Sequence, residues 1–177
     1  MAAGAGQGAG SGQMCTLSAE LPLGADTIKS PSGIIIIPEL VSGALVWILV
    51  ASTQLRGTEM HQGWVMFVSV TFCVLSIIQL VLYLTGTAKQ SSTWIHLDLA
   101  LSMLAFTLYL SAAVLQVNAT IAMFNVYIEQ CGLGNTDIEE AILHLYRVNL
   151  AATVFAFLTT GLYAVSAFIS IQRWKLN

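Results

Sequence analysis

The sequence predicts an all-α membrane protein of four transmembrane helices in an antiparallel bundle. Three observations carry that expectation. Hydrophobic residues make up 56% of the 177-residue chain and charged residues 8%, where a soluble domain carries about 25% charged residues. So few charges cannot cover a globular surface in water. The charges are also spaced to leave four stretches free of Asp, Glu, Lys and Arg: Leu40 to Leu55, Met60 to Ala88, Leu99 to Ile128 and Val148 to Gln172. Finally, these stretches lack the alternation of polar and apolar residues that membrane β-strands need.

A membrane helix needs roughly 20 mainly apolar residues. Three of the stretches meet that directly, and the first does so when extended back through Ile34-Ile35-Ile36-Ile37, taking in Pro38 and Glu39. The expected spans are about 32–53, 63–85, 94–117 and 148–171, within a membrane domain of residues 29–175. Residues 1–28 read as a flexible tail, because their Gly/Ala/Ser-rich start has neither the basic nor the apolar part of a signal peptide. Short connections after the first and second spans make neighbouring helices antiparallel. The third connection, 118–147, is expected to be an outer loop. Its first part, Ala119 to Ile128, is apolar enough to extend the third helix or lie at the interface. Beyond a turn-rich break at Cys131-Gly132-Leu133-Gly134-Asn135, Thr136 with Glu139 fits a capping box. Ile138, Ile142, Leu145 and Tyr146 then repeat at helical spacing, so a short amphipathic helix is expected there.

Orientation follows the basic residues. With both ends cytoplasmic, Lys29, Lys89, Arg173 and Lys175 lie inside, while Arg56 and Arg147 lie outside, the direction of the positive-inside rule. Trp47 and Trp64 then sit at the outer interface and Trp94 and Trp174 at the inner one, as anchoring belts.

Packing in lipid relies on close backbone approach, since apolar side chains gain nothing by leaving one oily solvent for another. Ala152, Ala156, Thr160 and Ala164 share one face of the fourth span, Gly161 widens it, and Gly43 belongs to a candidate counterpart in the first. Intramolecular packing is the ordinary use of such a stripe; a homo-oligomer seam is the other. Two acids, Glu39 and Asp98, fall inside spans, where ionisable residues mark sites by default. Each sits near the start of an outward-running helix. Asp98 is shallow enough to reach the headgroups or cap its helix, and Lys89 and His96 lie on the same side as partners. With Gln79 and Gln116 as the other strong polar groups, the interior offers too little for a transport path.

Catalysis has less support still. His61, His96 and His144 fall on different segments, and no metal-ligand spacing, phosphate loop or nucleophile elbow is present. Cys15, Cys73 and Cys131 are expected in three different compartments, so no disulfide framework forms; Cys15 and Cys73 are weak acylation candidates. Asn118-Ala119-Thr120 is a glycosylation triplet, but one abutting the third helix. No enzyme activity, metal or cofactor is expected. The net charge of −3, without a basic cluster, also argues against nucleic acid as a partner.

Particular strings go further. Gly43-Ala44-Leu45-Val46-Trp47-Ile48-Leu49-Val50-Ala51-Ser52 and Gln62-Gly63-Trp64-Val65-Met66-Phe67-Val68-Ser69-Val70 closely resemble the MAL proteolipid family of MARVEL-domain proteins. Leu97-Asp98 with Tyr109 to Leu115 looks like that family's third helix; Asn149-Leu150-Ala151-Ala152 and Arg173-Trp174-Lys175 look like its fourth helix and tail. Pro38-Glu39-Leu40 and Gln116-Val117 resemble its BENE-like branch, while Phe155-Ala156-Phe157 and Thr159-Thr160 resemble the second MAL paralogue; the branch stays open. The resemblance implies a MARVEL-like four-helix fold with both termini cytoplasmic. It also implies residence in cholesterol- and glycosphingolipid-rich membrane at the apical plasma membrane and on endosomal or Golgi vesicles. The implied role is vesicle trafficking (apical delivery, transcytosis or organisation of myelin-type membrane), with lipids, trafficking proteins and membrane cargo as partners. Bound cholesterol or glycosphingolipid fits that setting, and Arg173, Trp174 and Lys175 become a candidate sorting tail. Adhesion between stacked membranes and a small channel or transporter are the alternatives.

Overall fold

The computed structural model describes residues 31–53, 59–85, 92–131 and 136–176. The tail at 1–28 with Cys15, and Lys29, Arg56 and Lys89, lie outside the described residues. Four helices account for nearly everything described: α1 (Pro31–Ser52), α2 (Glu59–Leu84), α3 (Ser92–Cys131) and α4 (Thr136–Leu176). Each is long and apolar enough to cross a bilayer.

The helices form a ring in chain order: α1 packs on α2 and α4, and α3 packs on α2 and α4. Contacts between ends give the direction of each. Gln62, at the start of α2, donates from Nε2 to the carbonyl of Thr53, just past the end of α1 (2.7 Å). Tyr83, at the end of α2, donates to Asp98 near the start of α3 (2.8 Å). The bundle therefore runs up, down, up, down.

Its interior is the reverse of a soluble core. Ile34, Val41, Phe67, Val74, Val154 and Phe168 are exposed, each by at least half, as suits a surface bathed in acyl chains. Ser, Thr, Gln, Asn, Tyr and Ala fill the inside. In hydrocarbon every polar group needs an internal partner, and many hydroxyls find one a turn back on their own helix. Ser42 Oγ donates to the carbonyl of Pro38 (2.7 Å), Thr159 Oγ1 to that of Phe155 (2.8 Å) and Thr160 Oγ1 to that of Ala156 (2.8 Å). Pro38 is accommodated inside α1. At mid-bundle Val46, Val50, Val65, Ala112, Ala113, Ala152 and Ala156 form an apolar layer in which none is more than 1% exposed.

The third connection departs from expectation. Residues 118–131 and 136–147 are helix, not the expected loop: α3 continues to Cys131 and α4 starts at Thr136. The expected amphipathic helix is the opening of α4, continuous with the span. Nothing between Ser92 and Cys131, or between Thr136 and Thr160, is Gly or Pro, and a helix has no reason to stop where hydrocarbon ends. With 40 and 41 residues, α3 and α4 are each about 60 Å long, against about 33 and 39 Å for α1 and α2. The two longer helices run on as a hairpin beyond the ends of the shorter pair. Along it Met123 is buried, Phe124 and Tyr146 rings lie 5.6 Å apart, and the Tyr127 hydroxyl donates to Glu139 (3.4 Å).

Candidate functional site

Two buried polar clusters lie towards opposite ends of the ring, with aromatic rings and the apolar layer between them. The first centres on Asp98, nearly two turns into α3. Its Oδ1 accepts from the Tyr83 hydroxyl (2.8 Å) and from Gln79 Nε2; its Oδ2 accepts from Ser170 Oγ (2.8 Å) and lies 3.8 Å from the Arg173 guanidinium. Gln79 and Tyr83 are one turn apart on α2, and Ser170 and Arg173 are three residues apart on α4. Two helical faces thus converge on one carboxylate. Both side chains of the ion pair are only 6% exposed.

This corrects two expectations. Asp98 does not reach out to headgroups or to His96: a helix starting at Ser92 has already turned it inward by residue 98. His96 is exposed, its ring 6.4 Å from that of Trp174. Arg173 does not belong to an exposed tail, because α4 continues through Leu176 and turns it onto Asp98. Trp174 and Lys175 are exposed on the other side. Trp94 packs edge-on against Tyr83 at 6.1 Å, at this same end.

Glu39 lies deeper, on α1, and is also buried; Ser166 of α4 hydrogen-bonds its carboxyl. Nearby, Tyr109 stacks on Tyr163 with ring centroids 5.2 Å apart, Phe72 packs on both rings, and the Tyr163 hydroxyl meets Ser76 Oγ (2.9 Å). Gly43 makes room for this arrangement: a Cβ there would stand 2.9 Å from the Tyr109 hydroxyl.

The second cluster centres on Asn149. Its Oδ1 accepts from Gln116 Nε2 (2.9 Å) and Thr53 Oγ1 (3.4 Å), and its Nδ2 donates to the Leu145 carbonyl (3.1 Å). Thr120 and Thr153 meet hydroxyl to hydroxyl at 2.9 Å beside it. This knot joins α1, α3 and α4, and Gln62 ties in α2.

The remaining expected residues are placed as follows. Ala152, Ala156 and Thr160 point into the bundle, Ala164 is half-buried, and Gly43 is buried. Gly161 faces outward with nothing within 4 Å of a built Cβ, so it does not widen the small-residue face. It follows Thr160 by one residue, which on a helix is about 100° of rotation. Trp64 is exposed and donates from Nε1 to Ser111 (3.1 Å), and Trp47 is half-buried. Asn118 is exposed but helical, and Cys73 is a half-buried free thiol. The sequence did not single out Asn149, Thr53, Gln62, Tyr83, Tyr109, Tyr163 or Ser170 as interior polar groups. A signal existed in the spacing Gln79/Tyr83 and Asn149/Thr153: polar residues four apart in spans where polarity is costly. Among the described residues no His, Cys, Asp or Glu group could hold a metal ion.

Four apolar helices closed into a ring, with polar side chains inward and aliphatic ones outward, define a multi-pass membrane protein. Residues 27–169 match the family model MARVEL, described as a membrane-associating domain. The chain is 38% identical over 155 residues to myelin and lymphocyte protein of Homo sapiens and 37% identical to that of Canis lupus familiaris, in each case over 88% of this chain and 92% of the relative. MARVEL domain-containing protein 1 of Xenopus laevis is 33% identical over 150 residues, covering 84% of this chain and 78% of the relative. No solved structure matches the chain. The chain belongs to the MAL proteolipid family of MARVEL-domain membrane proteins.

Proposed function

We propose that this proteolipid organises cholesterol- and glycosphingolipid-rich membrane and acts in vesicular trafficking, by apical transport, transcytosis or the ordering of myelin-type membrane. The observation that carries this reading is the similarity to myelin and lymphocyte protein along 88% of the chain. The nature of the surface supports it. A protein whose exposed side chains are mostly aliphatic, with polar groups turned inward, acts on the lipid around it and on what that lipid carries. Both termini face the cytoplasm on this reading, and the protein resides in the apical plasma membrane and in endosomal or Golgi vesicles. Its partners are raft-type lipids, trafficking proteins or cargo, and a second copy of itself. Trp47 and Trp64 on one side and Trp94 and Trp174 on the other set its depth.

The channel alternative is weakened by the apolar layer from Val46 to Ala156, which separates the two polar clusters with side chains that offer an ion nothing. The test is imaging and flotation of the tagged protein in polarised cells, with apical cargo scored after depletion. Co-flotation with sterol-rich membrane and loss of cargo delivery are expected. Exclusion from such membrane, with delivery intact, defeats the proposal.

A further inference from the structure

Among the described residues, the interior of the bundle holds two carboxyl groups, Glu39 and Asp98, and one guanidinium, Arg173. Four hydrogen-bonded or charged contacts, that of Arg173 among them, are gathered on Asp98. Glu39, 4% exposed, has no hydrogen-bond partner for Oε1. The Tyr109 hydroxyl, 1% exposed, has none either. These two orphaned oxygens face one another's neighbourhood: Tyr109 Oη lies 2.9 Å from where a Cβ of Gly43 would stand, and Gly43 is one helical turn from Glu39 on the same face of α1. The groups that act on Glu39 are Asp98 and Tyr109 on α3 and Tyr163 and Ser166 on α4. None of them is a cation, and the interior guanidinium, Arg173, is engaged by Asp98. Two ionised carboxylates would leave an uncompensated negative charge in a low-dielectric interior, which is costly.

We propose that Glu39 is a proton-binding site: it holds one exchangeable proton inside the bundle and shares it with the Tyr109 hydroxyl through one water. The proton removes the excess charge and makes the Glu39 carboxyl a donor as well as an acceptor, as the Tyr109 hydroxyl already is. A water in that position would find the polar partners that buried waters require. The site is closed on its far side by Val46, Ala112, Ala113 and Ala156, so it stores a proton and does not conduct one. This inference is independent of the trafficking reading.

The full-length protein in lipid nanodiscs tests it by infrared difference spectroscopy, wild type against Glu39→Gln at neutral pH. A protonated-carboxyl C=O band is expected in wild type, shifting in D2O, absent from E39Q and unchanged when sodium is replaced by choline. Tyr109→Phe keeps the band but moves it, because its hydrogen-bond partner is gone. A carboxylate signal alone, a band that depends on sodium, or a band indifferent to Y109F overturns the proposal. Melting temperature gives a second readout. Gln mimics the neutral acid, so E39Q melts with wild type at neutral pH. Raising the pH strips the proton and leaves a charge in the core, so wild-type stability is present at lower pH and lost towards alkaline pH, while E39Q stays flat. An E39Q protein that melts far below wild type at neutral pH, or parallel pH profiles for the two, sinks the idea.

Discussion

Asp98 is gripped from α2 and from α4, so the effect of replacing either member of its ion pair follows from what is stranded. Arg173→Gln leaves a buried carboxylate with neutral donors; Asp98→Asn leaves a buried guanidinium facing an amide. Breaking a buried pair from one side costs about 3–5 kcal/mol, and each single variant is expected to melt well below wild type in detergent. The double variant, with no net charge left to bury, is expected to recover most of that loss. Equal melting of the two single variants and wild type would show the pair to be open to solvent. Gly43 sets a second test at this scale. The atom a new Cβ would meet is the far end of a ring stacked on Tyr163 and flanked by Phe72, so it has little freedom to retreat. Gly43→Ala is expected to cost about 1–3 kcal/mol, as overpacking does, and Tyr109→Phe in the same chain to restore part of it. Additive losses in the double variant would place the strain elsewhere.

At the scale of the element, α4 supplies side chains to both polar clusters, and its small residues decide how closely its neighbours approach. Ala156 is fully buried in the apolar layer, whereas Phe157, the next residue, is 45% exposed. Ala156→Leu therefore forces α4 away from its neighbours, and about 1–3 kcal/mol of destabilisation is expected. Phe157→Ala removes a larger side chain but from the lipid face, where acyl chains fill the space. It is expected to change thermal stability and surface delivery little, and the reverse order would mean that the buried face had been misassigned. The helical state of α3 beyond Gln116 makes a separate prediction. Asn118 lies within a continuous helix, not in an extended loop, so Asn118→Gln is expected to leave electrophoretic mobility unchanged before and after glycosidase treatment.

At the scale of the whole molecule, the ring of four helices fixes which tail residues can signal. Replacing Arg173, Trp174 and Lys175 together would confound sorting with folding, because Arg173 is part of the interior. Trp174→Ala with Lys175→Gln touches the exposed pair alone. If these two residues form a sorting signal, that variant is expected to fold with wild-type stability yet be retained or delivered to the wrong surface. Normal delivery leaves them the role of an interfacial stop, where a cation near the anionic leaflet contributes about 1 kcal/mol.

Composition and charge spacing alone determined that this chain crosses the membrane four times, because hydrocarbon admits few charges and a span has a minimum length. Strings such as Gly43 to Ser52 and Gln62 to Val70 carried the family as well. What the sequence could not decide was where helices end beyond the bilayer, since water tolerates helix and loop alike: 118–147 looked like a loop and is mostly helix. Nor could it decide which polar residues meet. Asp98 and Arg173 are 75 positions apart, and Gln116 and Asn149 lie on different helices. Their pairing depends on the rotation of each helix about its own axis. Only packing fixes that rotation, because in lipid the many aliphatic faces are nearly equivalent and the few polar ones must find each other.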